Sequence, residues 1–406
     1  MTLMTPRLAL ACGAAMLSIA TGSHAATIQL FDLGGVAGSR AEQGFNIAAA
    51  YWGSVLTNNV TINLGVGFDA LDPGVIGSTG STRADYSLRN WERQIAATKS
   101  NSRLDQTAVL PTLNASGGAN FISSGISPDG NDNTADVDVI LGDTVSSQKL
   151  YMNTAVIKAV GGTGNFNPAG LDGEVTFSNT FGFDFNPTNG IGANTFDFIG
   201  VAIHEIGHAL GFVSGIDYLD FYGRPNGPGA GGLGYSLNDT SIYSALDMFR
   251  YSKDPAGLIR GNGGVLDLSA GTEAYFSIDG GKTALFDNSV STGSFNGDEN
   301  QGSHWKDAEG VNQCGPQLGI MDPTFCFGQT GEVTALDLAA FDAMGWNVAF
   351  DVLDNSNYVA TTSSIYSMFA PPAVPEPASW MTMILGFGLI GGVMRHRVKT
   401  VRFTTA

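Results

Sequence analysis

The pattern of apolar and polar residues predicts a helix over residues 42–56 and a strand over residues 60–68. In the first segment apolar residues return every three or four positions, which is the spacing of one helix face. In the second segment apolar and polar residues alternate, which is typical of a strand with one buried face. The helical set is Phe45, Ala48, Ala49, Trp52 and Val55, and the alternating set is Val60, Ile62, Leu64, Val66 and Phe68. A helix that covers a strand favours a mixed α+β sandwich over a β-barrel.

Further elements are predicted later in the chain. A second helix fits residues 86–100, and the alternation within residues 172–185 predicts another strand. The adjacent glycines at positions 280 and 281 predict the turn of a β-hairpin. This turn lies in a segment, residues 218–303, that is rich in glycine, asparagine and aspartate.

The last helix predicted in the body of the chain lies in TALDLAAFDAMGW, residues 334–346. Thr334 and Asp337 have the spacing of a capping box, in which each side chain accepts a hydrogen bond from the other residue's backbone N–H at the helix start. Gly345 follows the last apolar position and is expected to end the helix.

The most regular helical pattern surrounds HEIGHALGF, residues 204–212. Its apolar residues are spaced alternately by three and four positions, which predicts a helix with one buried face. These residues are Phe196, Ile199, Ile203, Ile206 and Leu210. Asn194 or Thr195 is expected to cap the start, and Gly211 stands where a left-handed residue ends a helix.

Two histidines four residues apart on this helix point to a metal site. His204 and His208 lie one turn apart on the same face, so both imidazoles can bind one Zn²⁺ ion. Glu205 is rotated away from them, towards the position that water occupies in a catalytic zinc site. The spacing therefore predicts hydrolysis by zinc-activated water, with Glu205 as the general base.

A catalytic zinc takes three protein ligands, and this motif supplies two. Ser214 stands where a compact extension of the motif would place a third histidine. The body of the chain contains one further histidine, His304, which is the preferred third ligand because imidazole suits zinc. The carboxylates left open as alternatives are Asp217, Asp220 and Glu273.

The charge of the chain excludes two classes of partner. There are 19 Lys and Arg residues against 37 Asp and Glu residues, a formal net charge of −18. So acidic a chain is expected to repel nucleic acid and anionic membrane surfaces. Membrane contact is expected through the C-terminal tail alone.

Both ends of the chain carry export signals. Residues 1–25 combine Arg7, an apolar run and Ser-His-Ala before Ala26, which predicts a secretory signal peptide cleaved after Ala25. Export places the chain in an oxidising compartment, where the two cysteines of the body, Cys314 and Cys326, are expected to form a disulfide.

The C-terminal segment contains VPEP, an apolar run over residues 379–394 and a basic end. Over residues 374–402 this order resembles the PEP-CTERM sorting signal of exported bacterial proteins. The resemblance implies that the export machinery and a membrane sorting protease act on the tail, which anchors the protein transiently before it reaches the cell surface or the medium. A simple C-terminal transmembrane anchor is the alternative, although the run is slightly short for one.

Four motifs in order resemble those of the metzincin zinc metallopeptidases, in particular a leishmanolysin-like branch with PEP-CTERM tails. They are HEIGHALGF, SHW at residues 303–305, GIMDP at residues 319–323 and TALDLAAFDAMGW. The resemblance implies an α+β zincin fold with a mixed twisted sheet, an active-site helix and an inserted, β-rich and irregular C-terminal subdomain that supplies His304. It also implies that Met321 forms a turn beneath the zinc without binding it.

These observations predict an exported zinc endopeptidase that acts on protein or peptide substrates. One alternative is a catalytically silent surface or matrix protein on a peptidase-like scaffold, and another is a zinc hydrolase with a non-protein substrate. The predicted organisation is a signal peptide (1–25), an N-terminal catalytic subdomain (26–217), a C-terminal subdomain (218–350), a linker (351–377) and a sorting tail (378–406).

One acidic cluster, within residues 129–138, could be interpreted as a calcium site. Asp129, Asp132 and Asp136 offer carboxylate ligands for Ca²⁺, but the segment lacks the full calcium-loop pattern. A solvated acidic turn is therefore the preferred interpretation.

Overall fold

The computed structural model describes residues 25–124, 137–223, 226–229, 237, 239–253, 264–308 and 314–371. Residues 1–24 of the predicted signal peptide, the predicted calcium cluster and the predicted sorting tail lie outside these ranges. The described residues up to Ser367 belong to one compact unit, and a second unit begins at Met368. The predicted subdomain boundary after residue 217 falls within the first unit and stays a prediction.

The described ranges contain helices and strands in a mixed α+β order. The helices are α1 (Arg40–Val55), α2 (Leu88–Thr98), α3 (Arg103–Thr107), α4 (Val145–Gln148), α5 (Thr154–Ala159), α6 (Phe198–Ala209), α7 (Ile216–Tyr218), α8 (Ala335–Met344) and α9 (Thr362–Phe369). The strands are β1 (Thr27–Gly34), β2 (Thr61–Asp69), β3 (Gly77–Ser81), β4 (Arg83–Ser87), β5 (Phe121–Ser124), β6 (Val137–Ile140), β7 (Lys149–Asn153), β8 (Gly173–Ser178), β9 (Phe183–Asp184), β10 (Phe196–Asp197), β11 (Arg250–Ser252), β12 (Val265–Leu266), β13 (Tyr275–Phe276), β14 (Glu332–Thr334) and β15 (Val359–Thr361). The predicted helices α1 and α2 and the predicted strand β2 are confirmed.

The largest described sheet has four strands in the order β1-β2-β8-β3. β1, β2 and β8 are parallel, whereas β3 runs antiparallel to β8 at the edge. The prediction that β2 is half buried is wrong, because residues 62–67 are buried on both faces. β2 lies inside the sheet, where a Cβ at Gly65 would contact Leu33 and Leu171 on one face. Alternation along the chain does not reveal a second covering layer.

Helix α1 packs against α6 and fixes its position. Trp52 Nε1 donates to the carbonyl of Ile203 at 3.0 Å. The rings of Phe45 and Phe198 meet edge to face, 5.0 Å between centroids. The apolar residues predicted for both helices are buried, but α6 is buried on every side and not on one face as predicted. Burying these large side chains stabilises the fold by about 1.5–3 kcal/mol each.

The start of α6 corrects one prediction. Its N-cap is Asp197, whose carboxylate accepts from the Ile199 and Gly200 N–H groups at 3.1 Å each, and not Asn194 or Thr195. The reason is that the two residues before the helix pair with β9 as a short strand, which delays the helix start. Gly211, with φ of 128°, follows the last turn as predicted.

Helix α8 begins and ends as predicted. Thr334 is its N-cap, the Thr334 N–H donates to the Asp337 carboxylate at 2.7 Å, and Gly345 ends it with φ of 117°. The capping box is confirmed.

The predicted hairpin at Gly280 and Gly281 is wrong. Both glycines adopt the left-handed conformation of a turn, with φ of 75° and 80°. However, β13 pairs with β11 and not with the segment after the turn, which forms a 3₁₀ helix at Leu285–Asp287. Across the turn only an isolated antiparallel bridge forms, between Ala274 and Val290, because the 3₁₀ helix interrupts a ladder closer to the glycines. The strand predicted within residues 172–185 is likewise divided into β8 and β9.

Candidate metal centre

Three histidines converge at one point beside α6. His204 and His208 come from that helix, and His304 comes from a loop 96 residues further on. The Nε2 atoms of His204 and His208 are 3.0 Å apart, and His304 Nε2 lies 3.2 Å from that of His208 and 3.3 Å from that of His204. Nitrogens bound tetrahedrally to zinc at about 2.0–2.1 Å are separated by about 3.3 Å. The spacing fits a single zinc ion.

The other ring nitrogens determine the tautomers. The Nδ1 atoms face backbone carbonyls: His204 that of Ile320 at 2.8 Å, and His208 that of Phe212 at 2.6 Å. His304 Nδ1 faces the Gln301 carbonyl at 3.2 Å. A carbonyl oxygen only accepts, so each Nδ1 carries the proton and each Nε2 presents a lone pair to the centre.

Burial keeps these rings neutral. It lowers the pKa of His204 to about 4 and that of His304 to about 3. It also lowers the pKa of His208 well below its usual value, and the neighbouring imidazoles act in the same direction. Neutral imidazole is the form that binds a metal. Three lone pairs aimed at one point, with no proton between them, are a donor set for a cation.

The loop that carries His304 is held by residues just after α6. Asp217 accepts from the Gly302 N–H at 2.5 Å and from the Ser303 hydroxyl. The Ser214 N–H also donates to Ser303 Oγ, at 2.9 Å. Ser214 occupies the position where a compact motif would have its third histidine. Its backbone N–H instead binds the loop that carries His304.

The alternative carboxylate ligands have other partners. Both oxygens of Asp217 are taken by the His304 loop, and Asp220 accepts from the backbone N–H groups of Phe295 and Asn296 at 2.8 and 2.9 Å. Glu273 is exposed and pairs with Lys306 at 3.4 Å. Within the part of the chain that the structure describes, the one group of three or more metal-ligating side chains close enough to hold an ion is His204, His208 and His304.

Met321 lies beneath the helix that carries the histidines. It is fully buried, and a Cβ added at Gly207 would lie 2.6 Å from its sulfur. Its N–H donates to Asp337 Oδ1 at 3.3 Å, and its carbonyl accepts from the Trp305 N–H at 3.0 Å. The methionine is therefore joined to the residue next to His304. Its thioether packs against the helix at Gly207.

Asp337 is a positioning residue that the sequence indicated only as a helix cap. Its buried carboxylate accepts from the Ile320 N–H at 2.9 Å and from Trp305 Nε1 at 2.8 Å, besides its capping bond to Thr334. Burial raises its pKa, while these donors lower it. One side chain thus connects the turn below His204 to the loop of His304.

Glu205 projects into the same cleft and contacts the edge strand β3. Thr79 Oγ1 lies 2.7 Å from Glu205 Oε2 and 2.9 Å from the Glu205 carbonyl. A Cβ at Gly77 would lie 2.6 Å from Oε1, so glycine is required for this approach. Burial raises the pKa of Glu205 to about 7, and the Thr79 bond lowers it. The sequence did not indicate Gly77 or Thr79, because GSTGSTR has the composition of a loop.

The cleft over the histidines has a volume of about 610 Å³. β3 forms one wall, and the His304 loop and the segment after Met321 form the other. Its lining includes Gly77, Thr79, Asp217, Ser303, Pro323 and Phe325. Cys314 and Cys326, whose Cα atoms are 5.8 Å apart, form a disulfide next to this second wall.

One family comparison identifies the C-terminal segment. Residues 373–398 match the PEP-CTERM protein-sorting motif. This indicates export and sorting to the cell surface through the tail, and a sorting system as a partner. No curated protein and no solved structure matches the chain. Among the described residues, no helix has both the length and the apolar character to cross a membrane.

Proposed function

We propose that this protein is an exported zinc-dependent endopeptidase of the metzincin type, related to the leishmanolysin-like branch. The observation that carries the proposal is the convergence of three Nε2 lone pairs at 3.0–3.3 Å beside the buried carboxylate of Glu205. The third histidine comes from a distant loop and a methionine packs below the helix. Both features support the metzincin resemblance.

His204, His208 and His304 would hold the zinc ion. When bound, Zn²⁺ supplies a Lewis acid that acidifies water and polarises a carbonyl group. The three backbone carbonyls behind the imidazoles keep the rings oriented and increase their basicity. With three protein ligands the donor set is that of a catalytic site, because structural zinc sites are closed by four.

Glu205 would move the proton. Thr79 holds Oε2, which leaves Oε1 to accept a proton from the attacking water and pass it to the leaving amine. A pKa raised by burial to about 7 suits both steps, because such a carboxylate accepts a proton more readily than an exposed one and still releases it near neutrality.

An extended peptide is the substrate that the cleft favours. Within the described residues, β3 pairs only with β8, so one of its edges presents unpaired backbone groups to the cleft. A peptide strand can pair with such an edge. Thr79 lies on this strand and contacts Glu205, so a peptide bound there runs past the proposed base.

The test is cleavage of a mixture of unfolded proteins by the purified, zinc-loaded protein and by a Glu205→Gln variant. We expect cleavage by the wild type and a loss of at least about 100-fold in the variant, with zinc retained in both. If neither protein cleaves while both hold zinc, the peptidase proposal is wrong for this substrate class. The alternatives are then the silent surface scaffold and a hydrolase with a non-protein substrate.

A further inference from the structure

Arg83 is a cation in the wall of the metal cleft to which the proposed chemistry gives no role. It begins β4, two residues after β3 ends at Ser81. Its side chain is partly exposed and lines the cleft together with His208 and Ser303. Ser81 Oγ, two residues before Arg83, donates to the carbonyl of His208 at 3.2 Å. Arg83 therefore belongs to the His208 end of the cleft.

The guanidinium group makes no hydrogen bond or close ion pair with any residue that the structure describes. It lies over the ring of Tyr151, with 5.7 Å between the guanidinium carbon and the ring centroid. This contact leaves its N–H donors unused. A second pocket of about 310 Å³ adjoins the cleft at Arg83, with Tyr151 and Tyr218 in its wall.

Two acids that attract Arg83 are already hydrogen-bonded elsewhere. Asp217 and Asp247 attract Arg83 at longer range. However, Asp217 accepts from the loop of His304, and Asp247 accepts from the Gly215 and Ser244 N–H groups at 2.8 and 2.7 Å. Both carboxylates stabilise the protein's own backbone, so neither needs Arg83 as a counter-ion. The cation is held in the cleft wall with its donors free for a ligand.

We propose that Arg83 binds a carboxylate of the substrate, so that the cleft selects peptides with an acidic group on the His208 side of the metal centre. This deepens, and rests on, the proposed peptidase function. A guanidinium offers a planar fork of N–H donors that matches a carboxylate. Asp72 and Asp217 also line the cleft and disfavour more highly charged anions such as phosphate. The carboxylate can come from a Glu or Asp side chain or from a free C-terminus.

The experiment compares matched fluorogenic peptides on the zinc-loaded, full-length protein. Glu is exchanged for Gln at each position in turn, and each peptide is made with a free and with an amidated C-terminus. We expect kcat/KM to favour the carboxylate by about 10-fold or more at one position, since hydrogen bonds to charged groups contribute about 1.5–3 kcal/mol. The Glu/Gln arm and the free/amidated arm distinguish the two sources of carboxylate.

Variants assign the preference to Arg83. Arg83→Gln should reduce the ratio of kcat/KM between the carboxylate and amide peptides to about 1. Arg83→Lys should keep part of this preference, because lysine retains the positive charge but lacks the planar fork of donors. Arg93→Gln is the matched control, because Arg93 is exposed on α2 and outside the cleft. A wild-type ratio below about 2 in every arm, or a preference that survives in Arg83→Gln, would overturn the proposal.

A binding measurement separates this proposal from the peptidase function. If no peptide is cleaved, matched peptide hydroxamates with Glu or Gln are titrated into the zinc-loaded protein by calorimetry. A Kd ratio of about 10-fold or more that is lost in Arg83→Gln supports the role of Arg83 although the peptidase proposal has failed. Equal Kd values for the two hydroxamates would reject the role of Arg83 as well.

Discussion

Trp305 Nε1 donates a hydrogen bond to Asp337 Oδ1 at 2.8 Å, which joins the residue after His304 to the first turn of α8. The same carboxylate accepts from the N–H of Ile320, whose carbonyl faces His204 Nδ1 at 2.8 Å. Two of the proposed zinc ligands are thus oriented through one buried aspartate. The following predictions test this arrangement and the groups around it.

Replacing Asp337 should weaken both the fold and metal binding. Asp337→Ala leaves several buried donors without an acceptor, at a cost of about 1–3 kcal/mol for each unsatisfied group. We expect a loss of stability on the order of 3 kcal/mol in urea unfolding, and zinc affinity lower by about 10- to 100-fold in a chelator competition. Asp342→Ala, from the same helix, is the control for a buried aspartate without contacts to the site. Equal zinc affinity in Asp337→Ala and wild type would contradict the positioning role.

Loss of His304 should release the metal. His304→Ala leaves two imidazoles on α6, so we expect the zinc content to fall from about one equivalent to near zero after dialysis, measured by mass spectrometry of the metal. Glu273→Gln should keep its zinc, because Glu273 is exposed and pairs with Lys306. Asp217→Ala should also keep zinc, with lower affinity because it holds the His304 loop. Zinc retained by His304→Ala but lost by Asp217→Ala would move the third ligand to the carboxylate.

Adding one methyl group opposite Glu205 should impair activity without removing the metal. In Gly77→Ala the new Cβ would lie 2.6 Å from Glu205 Oε1, so the carboxylate must move. We expect kcat/KM to fall by about 10- to 100-fold, since small displacements of a catalytic group are costly. Gly80→Ala, on the same strand, has no atom within 4 Å of its Cβ and should stay near wild type. Equal activities of the two variants would argue against the placement of Glu205.

Stability should decrease with rising pH through Asp342. Burial, aided by the charge of Asp105, raises the pKa of Asp342 to about 8. Between the unfolded pKa near 4 and that value, the folded state binds a proton that the unfolded state has lost, so folding becomes less favourable as pH rises. One such proton contributes a slope of about 1.4 kcal/mol per pH unit. In urea unfolding, the free energy of unfolding of Asp342→Asn should therefore decline less from pH 5 to 7 than that of the wild type. Parallel declines in the two proteins would contradict the prediction.

The sequence by itself determined the local elements that carry the chemistry. The stripes of α1 and α6, the capping box of α8 and the HExxH spacing are interactions between residues three or four positions apart, which a helix imposes wherever it forms. The preference for His304 also came from the sequence, because no other histidine in the body could join the first two. The tail was recognisable from its motif alone.

The tertiary structure decided what depends on distant segments. Packing against both faces of the sheet buries β2, whereas strand pairing joins β13 to β11 and delays the start of α6. None of these contacts leaves a periodic trace in the chain. The same holds for Gly77 and Thr79, which contact Glu205. It also holds for Asp217 and Ser214, which bind the loop that carries His304, and for the Arg83 side chain in the cleft wall. Each of these depends on packing between elements that are far apart in sequence, whereas periodicity records only which face of a single element is buried.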